Sequence, residues 1–452
     1  MYKNLNVIFA GLFLLFITIT SNKISDFKND DLISAKDKEA EDKNHEALWN
    51  QLYSMQEDPV LKRIPSEELY KALEDFNLYL SPNKLSTRLE WTELGPNTIG
   101  GRTRAILVDP NDNTNKALFA AGVSGGLWKT NDITVATPTW QKIDHTWDNI
   151  KITSLASDPT NSQIIYAGTG EISGTGGFGN GVYKSTDGGT TWSHLSSSSS
   201  IGSQIGDIIV RNENGTGVVY VGSSHSKDRY ADDWSGDIDG KTGGLYRSTD
   251  GGTSWTNVGP YVSNNSGSSL RANFNNFALG TSDRIWAATD GFKYSNWSQF
   301  GGNLYYSDNG TTWNKVNWKP NSNTSERVIV AVAPSDKNTI YIAVEGDNRE
   351  IGFLMKSTDN GSNWSSMTLP PVQVEATGTH YGRNDQAEYS MHIQVDPNDP
   401  NILIFGMITQ YKSTDGGENW SEISAWYDTN SLPYVHADQH NLIYIDSYKI
   451  IS

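Results

Sequence analysis

The sequence predicts an all-β fold, a β-propeller whose blades are four-stranded sheets arranged around an axis. A short motif of aspartate, glycine and tryptophan supports this, because its aspartate recurs at positions 187, 250, 308, 359 and 415, 51 to 63 residues apart. Pairs of apolar runs joined by Asp-Pro or similar turns keep the same spacing. The chain is also rich in glycine (42), tyrosine (21) and tryptophan (15). Four short strands in each repeat of about fifty residues are typical of propellers.

Each repeat contains the same elements in the same order. Strand A ends in a turn such as ILVDPND (106–112) or IQVDPND (393–399), and strand B follows, as in IIYAGTG (164–170). Strand C runs into the recurring motif, and strand D begins at its tryptophan. The final run, HNLIYIDSYKIIS (440–452), resembles strands A and B of a further blade. We therefore expect a propeller over residues 89–452 with about seven blades, the last one incomplete because the sequence is C-terminally truncated.

Residues 1–22 are predicted to be a signal peptide. Lys3 precedes an apolar run from Val7 to Ile19, which has the length of a signal-peptide core and is short for a membrane span. The alternative is a single anchoring helix. Residues 23–88 are rich in Lys, Asp and Glu and show helical spacing of apolar residues, so we expect a short helical segment that is partly disordered. The protein is accordingly expected to be secreted or to lie at the cell surface, with no stable membrane span after signal cleavage.

Charge and composition exclude several kinds of function. The formal net charge is −17, which argues against a nucleic-acid partner because few basic groups are available to neutralise phosphates. The chain has no cysteine, so disulfides and thiolate metal sites are excluded. We expect a monomer that needs no cofactor.

The recurring motif, YKSTDGGTTW at 183–192, is predicted to be a structural turn and not an active site. Asp187 can accept hydrogen bonds from N–H groups just ahead of it, and the two following glycines permit positive φ angles. Trp192 begins the outer strand, where a large flat side chain can pack between adjacent blades. These roles are local and recur in each blade, whereas a catalytic site normally occurs once. We call the motif the Asp–Trp turn and expect its structural residues to be Asp187, Trp192, Asp250, Trp255, Asp308, Trp313, Asp359, Trp364, Asp415 and Trp420.

The Asp–Trp turn matches the Asp-box, or BNR repeat, whose pattern is S-x-D-x-G-x-x-W. Four copies match fully, and in the copy at 305–313 Tyr306 stands in the place of the serine, while Asp308 fits the aspartate. The chain resembles sortilin-like (VPS10-type) propellers and the YVTN/BNR-like propellers of secreted bacterial proteins, which are often labelled glycosyl hydrolases. The resemblance covers residues 89–452 and implies a propeller fold, but it specifies function only weakly.

The predicted loops divide into two sets by length. In an up-and-down blade, the A–B and C–D turns share one end of the propeller, and the B–C and D–A loops share the other. The first set is short and regular and the second is long and variable, so we place function on the long-loop face. A binding module for polysaccharide or protein is our main prediction, although large aromatic side chains also serve to pack loops. The ligand-binding candidates are Arg102, Arg104, Trp147, Trp234, Trp297 and Tyr381.

The alternative function is that of a glycoside hydrolase acting on an extracellular polysaccharide, which requires two carboxylates beside the scissile bond. Glu171 and Glu388 are the candidates. Xyloglucanase-type propellers, which this chain resembles, carry a catalytic aspartate in the first blade, and Val123 in FAAGVSGGLWK (119–129) stands in its place. Sialidases use three arginines and a Tyr/Glu pair, but the sequence around Arg102 and Arg104 shows no recognisable complete set. Whether the protein is an enzyme therefore stays open at the level of sequence.

Two groups of polar residues suggest ion or ligand sites. His436, Asp438 and His440 alternate, so on a strand they would share one face and could converge on a metal or an anionic ligand. The alternative is a hydrogen-bonded wall of the axial channel, and we predict no metal site there. The segment DDWSGDIDG (232–240) could hold Ca²⁺ through its aspartates, but it lacks the spacing of an EF-hand.

Overall fold

The computed structural model describes residues 59–60, 102–123, 125–143, 151–171, 179–202, 204–224, 243–263, 269–291, 302–318, 327–346, 350–371, 373–374, 380–381, 386–426, 432–446 and 449–451. All of them belong to one compact unit, Glu57–Ser452. The predicted signal peptide and all but two residues of the predicted helical segment 23–88 lie outside the described residues. Within the described part, no helix is sufficiently long and apolar to cross a membrane.

The described residues form six blades, each a four-stranded antiparallel sheet. Blade 1 contains β1 (Thr103–Val108), β2 (Leu118–Gly122), β3 (Gly126–Thr130) and β4 (Trp140–Lys142), and blade 2 contains β5 (Ile152–Asp158), β6 (Asn161–Thr169), β7 (Val182–Ser185) and β8 (Ser193–His194). Blade 3 contains β9 (Gln204–Glu213), β10 (Thr216–Ser224), β11 (Gly244–Ser248) and β12 (Thr256–Asn257). Blade 4 contains β15 (Asn273–Leu279), β16 (Ile285–Asp290), β17 (Leu304–Ser307) and β18 (Asn314–Lys315). Blade 5 contains β19 (Val328–Val332), β20 (Ile340–Glu345), β21 (Ile351–Ser357) and β22 (Ser365–Ser366), and blade 6 contains β25 (His392–Val395), β26 (Leu403–Gly406), β27 (Gln410–Ser413) and β28 (Ser421–Glu422).

Three further sheets have two strands each. They are β13 (Tyr261–Ser263) with β14 (Ser269–Arg271), β23 (Gln373–Val374) with β24 (His380–Tyr381), and β29 (Ile443–Asp446) with β30 (Lys449–Ile451). The only helical turns in the described residues are two short 3₁₀ turns, at Ser196–Ser200 and Thr281–Asp283.

The predicted all-β class and the four-stranded blades are confirmed, but the predicted number of about seven blades is wrong. The described chain has six. The residues interpreted as the start of a further blade form only the two-stranded sheet β29–β30, which lies beside β1. Two apolar runs predict two paired strands, and they do so whether or not two outer strands follow to complete a blade. The count of blades from the sequence was too high because it took these two strands as the start of another blade.

The strand order within each blade places two kinds of loop at opposite ends of the propeller. Each blade is a meander in which consecutive strands pair, and the first strands lie side by side, with β1 next to β5, β5 next to β9, β9 next to β15, β15 next to β19 and β19 next to β25. The start of each first strand and the end of each second strand therefore face the long-loop end. Side chains at these positions are brought together there from different blades.

The hydrophobic core lies between the blades. The described core residues form five clusters, and each combines side chains of two consecutive blades, for example Phe119 of β2 with Ile165 of β6. One tryptophan of an Asp–Trp turn packs against each cluster, and these are Trp192, Trp255, Trp313, Trp364 and Trp420. Burying such large aromatic surfaces between sheets stabilises the stacking of blades.

The Asp–Trp turns are held by local hydrogen bonds. Asp187 Oδ1 accepts hydrogen bonds from the N–H groups of Thr190 (3.0 Å) and Thr191 (2.8 Å). Ser185 Oγ donates to Asp187 Oδ1 (2.8 Å) and accepts from the N–H of Gly189 (2.8 Å). The same serine–aspartate contact, at 2.8 Å, is present at Asp250, Asp359 and Asp415.

The Asp–Trp turn of blade 4 differs from what the sequence pattern predicts. Asn309, not Asp308, accepts the N–H groups of Thr311 (2.9 Å) and Thr312 (2.8 Å), and Ser307 Oγ donates to Asn309 Oδ1 (3.2 Å). Asp308 instead forms an ion pair with Arg284 (2.6 Å). The turn is one residue shorter than the others, so the aspartate aligned by the pattern is displaced from the hydrogen-bonding position.

Polar side chains also link the first strands of consecutive blades. Ser154 Oγ accepts the N–H of Ile208 (2.9 Å), and Asp207 Oδ2 accepts the N–H of Phe277 (2.8 Å). Asn276 Oδ1 accepts the N–H of Val330 (2.7 Å). Each bond joins a blade to the next one at the wall of the axial channel.

The buried carboxyl of Asp207, which joins blades 3 and 4 through its hydrogen bond from Phe277, should make the stability of the protein depend on pH. Burial raises the pKa of Asp207 to about 6, above the value of about 3.9 expected for an unfolded chain. The folded state therefore retains a proton that the unfolded state has already lost, so this residue's contribution to stability falls as the pH rises from about 4 to about 6. We expect the free energy of unfolding of the wild type, relative to Asp207→Asn, to decrease over this window in urea titrations.

The matched control is Asp250→Asn. Hydrogen bonds from Ser254 lower the pKa of Asp250 to about 2, so its contribution to stability is complete above about pH 5. The difference in the free energy of unfolding between this variant and the wild type should be constant between about pH 5 and 7. A constant difference for Asp207→Asn as well would contradict the assignment of a raised pKa to this carboxyl.

Candidate functional site

Five polar side chains meet at the long-loop end of the axial channel, and we call them the mouth cluster. Arg102 and Arg104 lie at the start of β1, and Glu171 lies two residues after β6. Tyr389 precedes β25, and His440 precedes β29. The ring of blades brings the first four together, because they lie near the start of a first strand or just beyond the end of a second strand. His440 reaches the same place because β29 lies beside β1.

Tyr389 is at the centre of the mouth cluster. Its hydroxyl donates a hydrogen bond to Glu171 Oε1 (2.7 Å) and accepts one from Arg102 Nη1. Arg102 Nη1 also lies 3.5 Å from Glu171 Oε1, in an ion pair in which the Arg102 side chain is 53% exposed and that of Glu171 is 5% exposed. Burial and the hydrogen bond to Glu171 raise the pKa of Tyr389 to about 12. The tyrosine is therefore a neutral donor to a buried carboxylate.

Arg104 connects the tyrosine to the histidine. Its Nη1 donates hydrogen bonds to the carbonyl oxygen of Tyr389 (3.2 Å) and to His440 Nδ1 (2.6 Å). The His440 ring meets the Tyr389 ring edge-on, with centroids 4.5 Å apart. Burial lowers the pKa of His440 to about 2, and the positive charges of Arg104, Arg327 and Arg102 add to this effect. His440 is therefore neutral, and because a guanidinium only donates, its proton is on Nε2.

Arg327, just before β19, positions the turn that carries Tyr389. Its Nη1 lies 3.3 Å from the carbonyl oxygen of Ala387, 3.4 Å from that of Glu388 and 3.0 Å from that of Tyr389. Its Nε lies 3.9 Å from Asp290 Oδ1 at the end of β16. Blades 4 and 5 thus contribute to the site by holding this turn.

A cavity of about 350 Å³ extends along the channel from the mouth cluster. Its polar lining includes Arg104, Asp207, Asn275, Arg327, His392 and His440. Burial lowers the pKa of His392 to about 4, so this histidine is also neutral near pH 7. The cavity volume lies within the range of roughly 300–1,000 Å³ of small-molecule sites.

The structure brings together four of the residues singled out in the sequence, Arg102, Arg104, Glu171 and His440. Glu388 lies in the same turn as Tyr389, where its carbonyl oxygen contacts Arg327. Tyr381 lies in β24. Outside the described residues lie Trp147, Trp234 and Trp297 and the aspartates of segment 232–240.

The expectation that His436, Asp438 and His440 share one face of a strand is wrong. Residues 435–442 are not in a strand, and Asp438 has a φ of +73°, which interrupts any regular alternation. His436 is exposed, and its Nδ1 lies 2.6 Å from the carbonyl oxygen of Ala437. Only His440 joins the mouth cluster. In the part of the chain that the structure describes, no three His, Asp or Glu side chains form a group able to hold a metal ion.

Sequence reasoning missed Tyr389 and the residues that support it, Arg327 and Asp290. A positional signal was available, because Arg327 and Tyr389 come shortly before the first strands of blades 5 and 6, as Arg102 does in blade 1. A search for polar or aromatic residues at this position in every repeat would have identified both.

Comparison with known proteins finds distant relatives among xyloglucanases. No family model matches the chain. A xyloglucanase of Hypocrea jecorina (strain QM6a) is 23% identical over 374 residues, which cover 74% of this chain and 40% of the relative. A xyloglucanase of Paenibacillus sp is 31% identical over 104 residues, covering 22% of this chain and 9% of the relative. The chain therefore spans less than half the length of the relatives it matches.

Similar solved structures include the GH74 xyloglucanase from Xanthomonas campestris, with 15% identity, a TM-score of 0.41 and coverage of 76% of this chain and 56% of that one. Another is YCF48 bound to D1 peptide, with 17% identity, a TM-score of 0.43 and coverage of 71% and 82%. The strand topology makes the chain a β-propeller, and its distant relatives by sequence are xyloglucanases.

Proposed function

We propose that this propeller is a secreted, monomeric binding module that recognises a polysaccharide at the mouth cluster. The observation that carries the proposal is the hydrogen-bonded group of Arg102, Glu171 and Tyr389, contributed by three different blades. It presents donors and acceptors side by side, as sites for polar small molecules do, and it contacts Arg104 and His440, which line the cavity. The distant relatives are xyloglucanases, which supports a polysaccharide ligand over a protein. Export rests on the apolar N-terminal run.

A specific observation supports a second candidate, glycoside hydrolysis. The Tyr389 hydroxyl lies 2.7 Å from the Glu171 carboxylate, within reach of a general base that could activate it as a nucleophile. Val123 stands in the place of the catalytic aspartate of the xyloglucanase type; it is 1% exposed and donates its N–H to the carbonyl oxygen of Arg102 (3.1 Å). A valine side chain cannot transfer a proton. In a hydrolysis at this site the Tyr389 oxygen would bond to the sugar carbon, its proton would pass to Glu171, and Glu171 would give that proton to the leaving oxygen.

A panel of neutral and acidic polysaccharides tests the proposed function. We expect the wild type to bind at least one of them in isothermal titration, and Arg102→Gln to weaken that binding on the order of tenfold or more, because a charge-assisted hydrogen bond contributes about 1.5–3 kcal/mol. Lys142→Gln is the matched control, since Lys142 is an exposed cation on the outer strand β4 and its loss should not change the affinity.

The same mixtures are assayed for new reducing ends. Binding without new reducing ends supports the binding module, and reducing ends that disappear in Glu171→Gln support the hydrolase. If the wild type binds no polysaccharide, or if Arg102→Gln and the wild type bind equally, the mouth cluster is not the site.

A further inference from the structure

Arg104 has no carboxylate partner among the described residues. Among the described residues, Arg102 pairs with Glu171 (3.5 Å) and Arg327 lies 3.9 Å from Asp290, but no carboxylate oxygen lies within 4.0 Å of Arg104. In the described part of the chain, its Nη1 contacts a backbone carbonyl and a neutral histidine. Its guanidinium also lies over the Tyr389 ring, 5.3 Å from the centroid, and burial lowers the pKa of Arg104. A desolvated cation without a counterion is costly unless an anion compensates it.

His440 adds a second unsatisfied donor. Its Nδ1 accepts from Arg104, so Nε2 carries the proton. Nε2 is buried and has no hydrogen-bond partner among the described residues. Both Arg104 and His440 line the 350 Å³ cavity, so an acceptor in that cavity can reach both groups.

The local charge also favours an anion. Three guanidinium groups, those of Arg102, Arg104 and Arg327, act on His440. The carboxylates that act on Arg104 are those of Glu171 and Asp290, and these already have hydrogen-bond partners in Tyr389 and Asn275. The charges with the largest effect on His440 are therefore positive, in a chain whose formal net charge is −17.

We propose that a carboxylate of the ligand supplies the missing counterion of Arg104 and accepts the Nε2–H of His440, so that the ligand is an acidic polysaccharide recognised through a uronic acid residue. This inference rests on the proposed function and specifies its ligand class. A carboxylate has two oxygens in one plane, so one oxygen can contact the guanidinium while the other contacts the imidazole. A neutral sugar would leave Arg104 without a counterion.

A pair of ligands with one sugar backbone, one charged and one neutral, tests the proposal without altering the protein. Trigalacturonate and its fully methyl-esterified form have the same sugar backbone, and only the first carries carboxylates. We expect the free acid to bind the wild type on the order of tenfold or more tightly than the ester in isothermal titration. Its affinity should fall as the salt concentration rises, because ion pairs are screened.

Substitutions then show which residue causes the preference for the free acid over the ester. Arg104→Gln should reduce the acid-over-ester ratio to about one, whereas Lys142→Gln should leave it unchanged, with thermal unfolding recorded for each variant. Arg104→Lys keeps the charge and should retain part of the ratio. If Arg104→Gln does not fold, the wild-type ratio and the Arg104→Lys ratio still decide the matter.

Several results would overturn the inference. Equal binding of acid and ester, or tighter binding of a neutral or sulfated oligosaccharide, rejects carboxylate recognition while leaving the proposed function in place. Preference for a peptide with a free C-terminal carboxylate, with no sugar bound, rejects both. Binding of the acid that survives in Arg104→Gln with an unchanged ratio places the anion elsewhere.

Discussion

Replacing Gly310 with alanine is expected to destabilise the propeller by roughly 2–5 kcal/mol. Gly310 has a φ of +74°, a conformation that costs a side-chain-bearing residue about 1–2 kcal/mol. An added Cβ would also overlap the Tyr220 hydroxyl and lie 2.7 Å from Arg211 Nη2. Relieving this overlap means distorting the joint between blades 3 and 4, at a cost of about 1–3 kcal/mol for an overpacked site.

The Tyr220 hydroxyl cannot move away at little cost. It accepts hydrogen bonds from Arg211 (3.0 Å) and Arg247 (3.0 Å) and donates one to Glu213. The Tyr220 ring itself is fully buried in β10. Shifting this side chain would therefore break a network that also holds the neighbouring Asp–Trp turn.

Gly215→Ala is the matched control, because Gly215 has a φ of +87° but no atom within 4 Å of the added Cβ. It should show only the conformational cost of about 1–2 kcal/mol. Urea unfolding of both variants measures the difference. Equal destabilisation would mean that the Asp–Trp turn and the tyrosine are not closely packed.

Replacing Trp286 with alanine should destabilise the protein by about 3–5 kcal/mol, the usual cost of deleting a large buried aromatic side chain. Trp286 is 0% exposed and belongs to the cluster between blades 4 and 5. Its ring lies 5.5 Å from that of Tyr306, and a Cβ at Gly361, in the turn of blade 5, would overlap it. Its indole nitrogen has no hydrogen-bond partner among the described residues, so the loss is one of packing.

Trp140→Ala is the control for Trp286→Ala, because it removes the same side chain from a more exposed position. Trp140 lies in the outer strand β4 and is 37% exposed, so less apolar surface leaves the core when it is truncated. We expect a loss of stability well below that of Trp286→Ala in urea unfolding. A loss of the same size in both variants would contradict the assignment of the core to the spaces between blades.

The predictions from the sequence succeeded where the determining interactions are local. The Asp–Trp turns close through bonds between residues two to four positions apart, such as Ser185 to Asp187 and Asp187 to Thr191, so their pattern is visible in a short window. The sequence pattern assigned Asp308 to the hydrogen-bonding position that Asn309 occupies, and this error also came from examining only a short window. The serine-to-tryptophan spacing is six residues there, from Ser307 to Trp313, and seven elsewhere, and matching the aspartate alone concealed the shorter turn.

The sequence by itself determined that the chain folds into four-stranded blades and which end of each blade bears the long loops. Periodicity and turn chemistry specify these features because they depend on neighbours in the chain. The number of blades and the site were decided only by the tertiary structure. Tyr389 meets Arg102 across 287 residues and Glu171 across 218, and such contacts exist only when the blades are arranged around the axis. Which side chains lie beside Arg104, with no carboxylate within 4.0 Å among the residues that the structure describes, likewise depends on how the ring is assembled, and no local pattern records it.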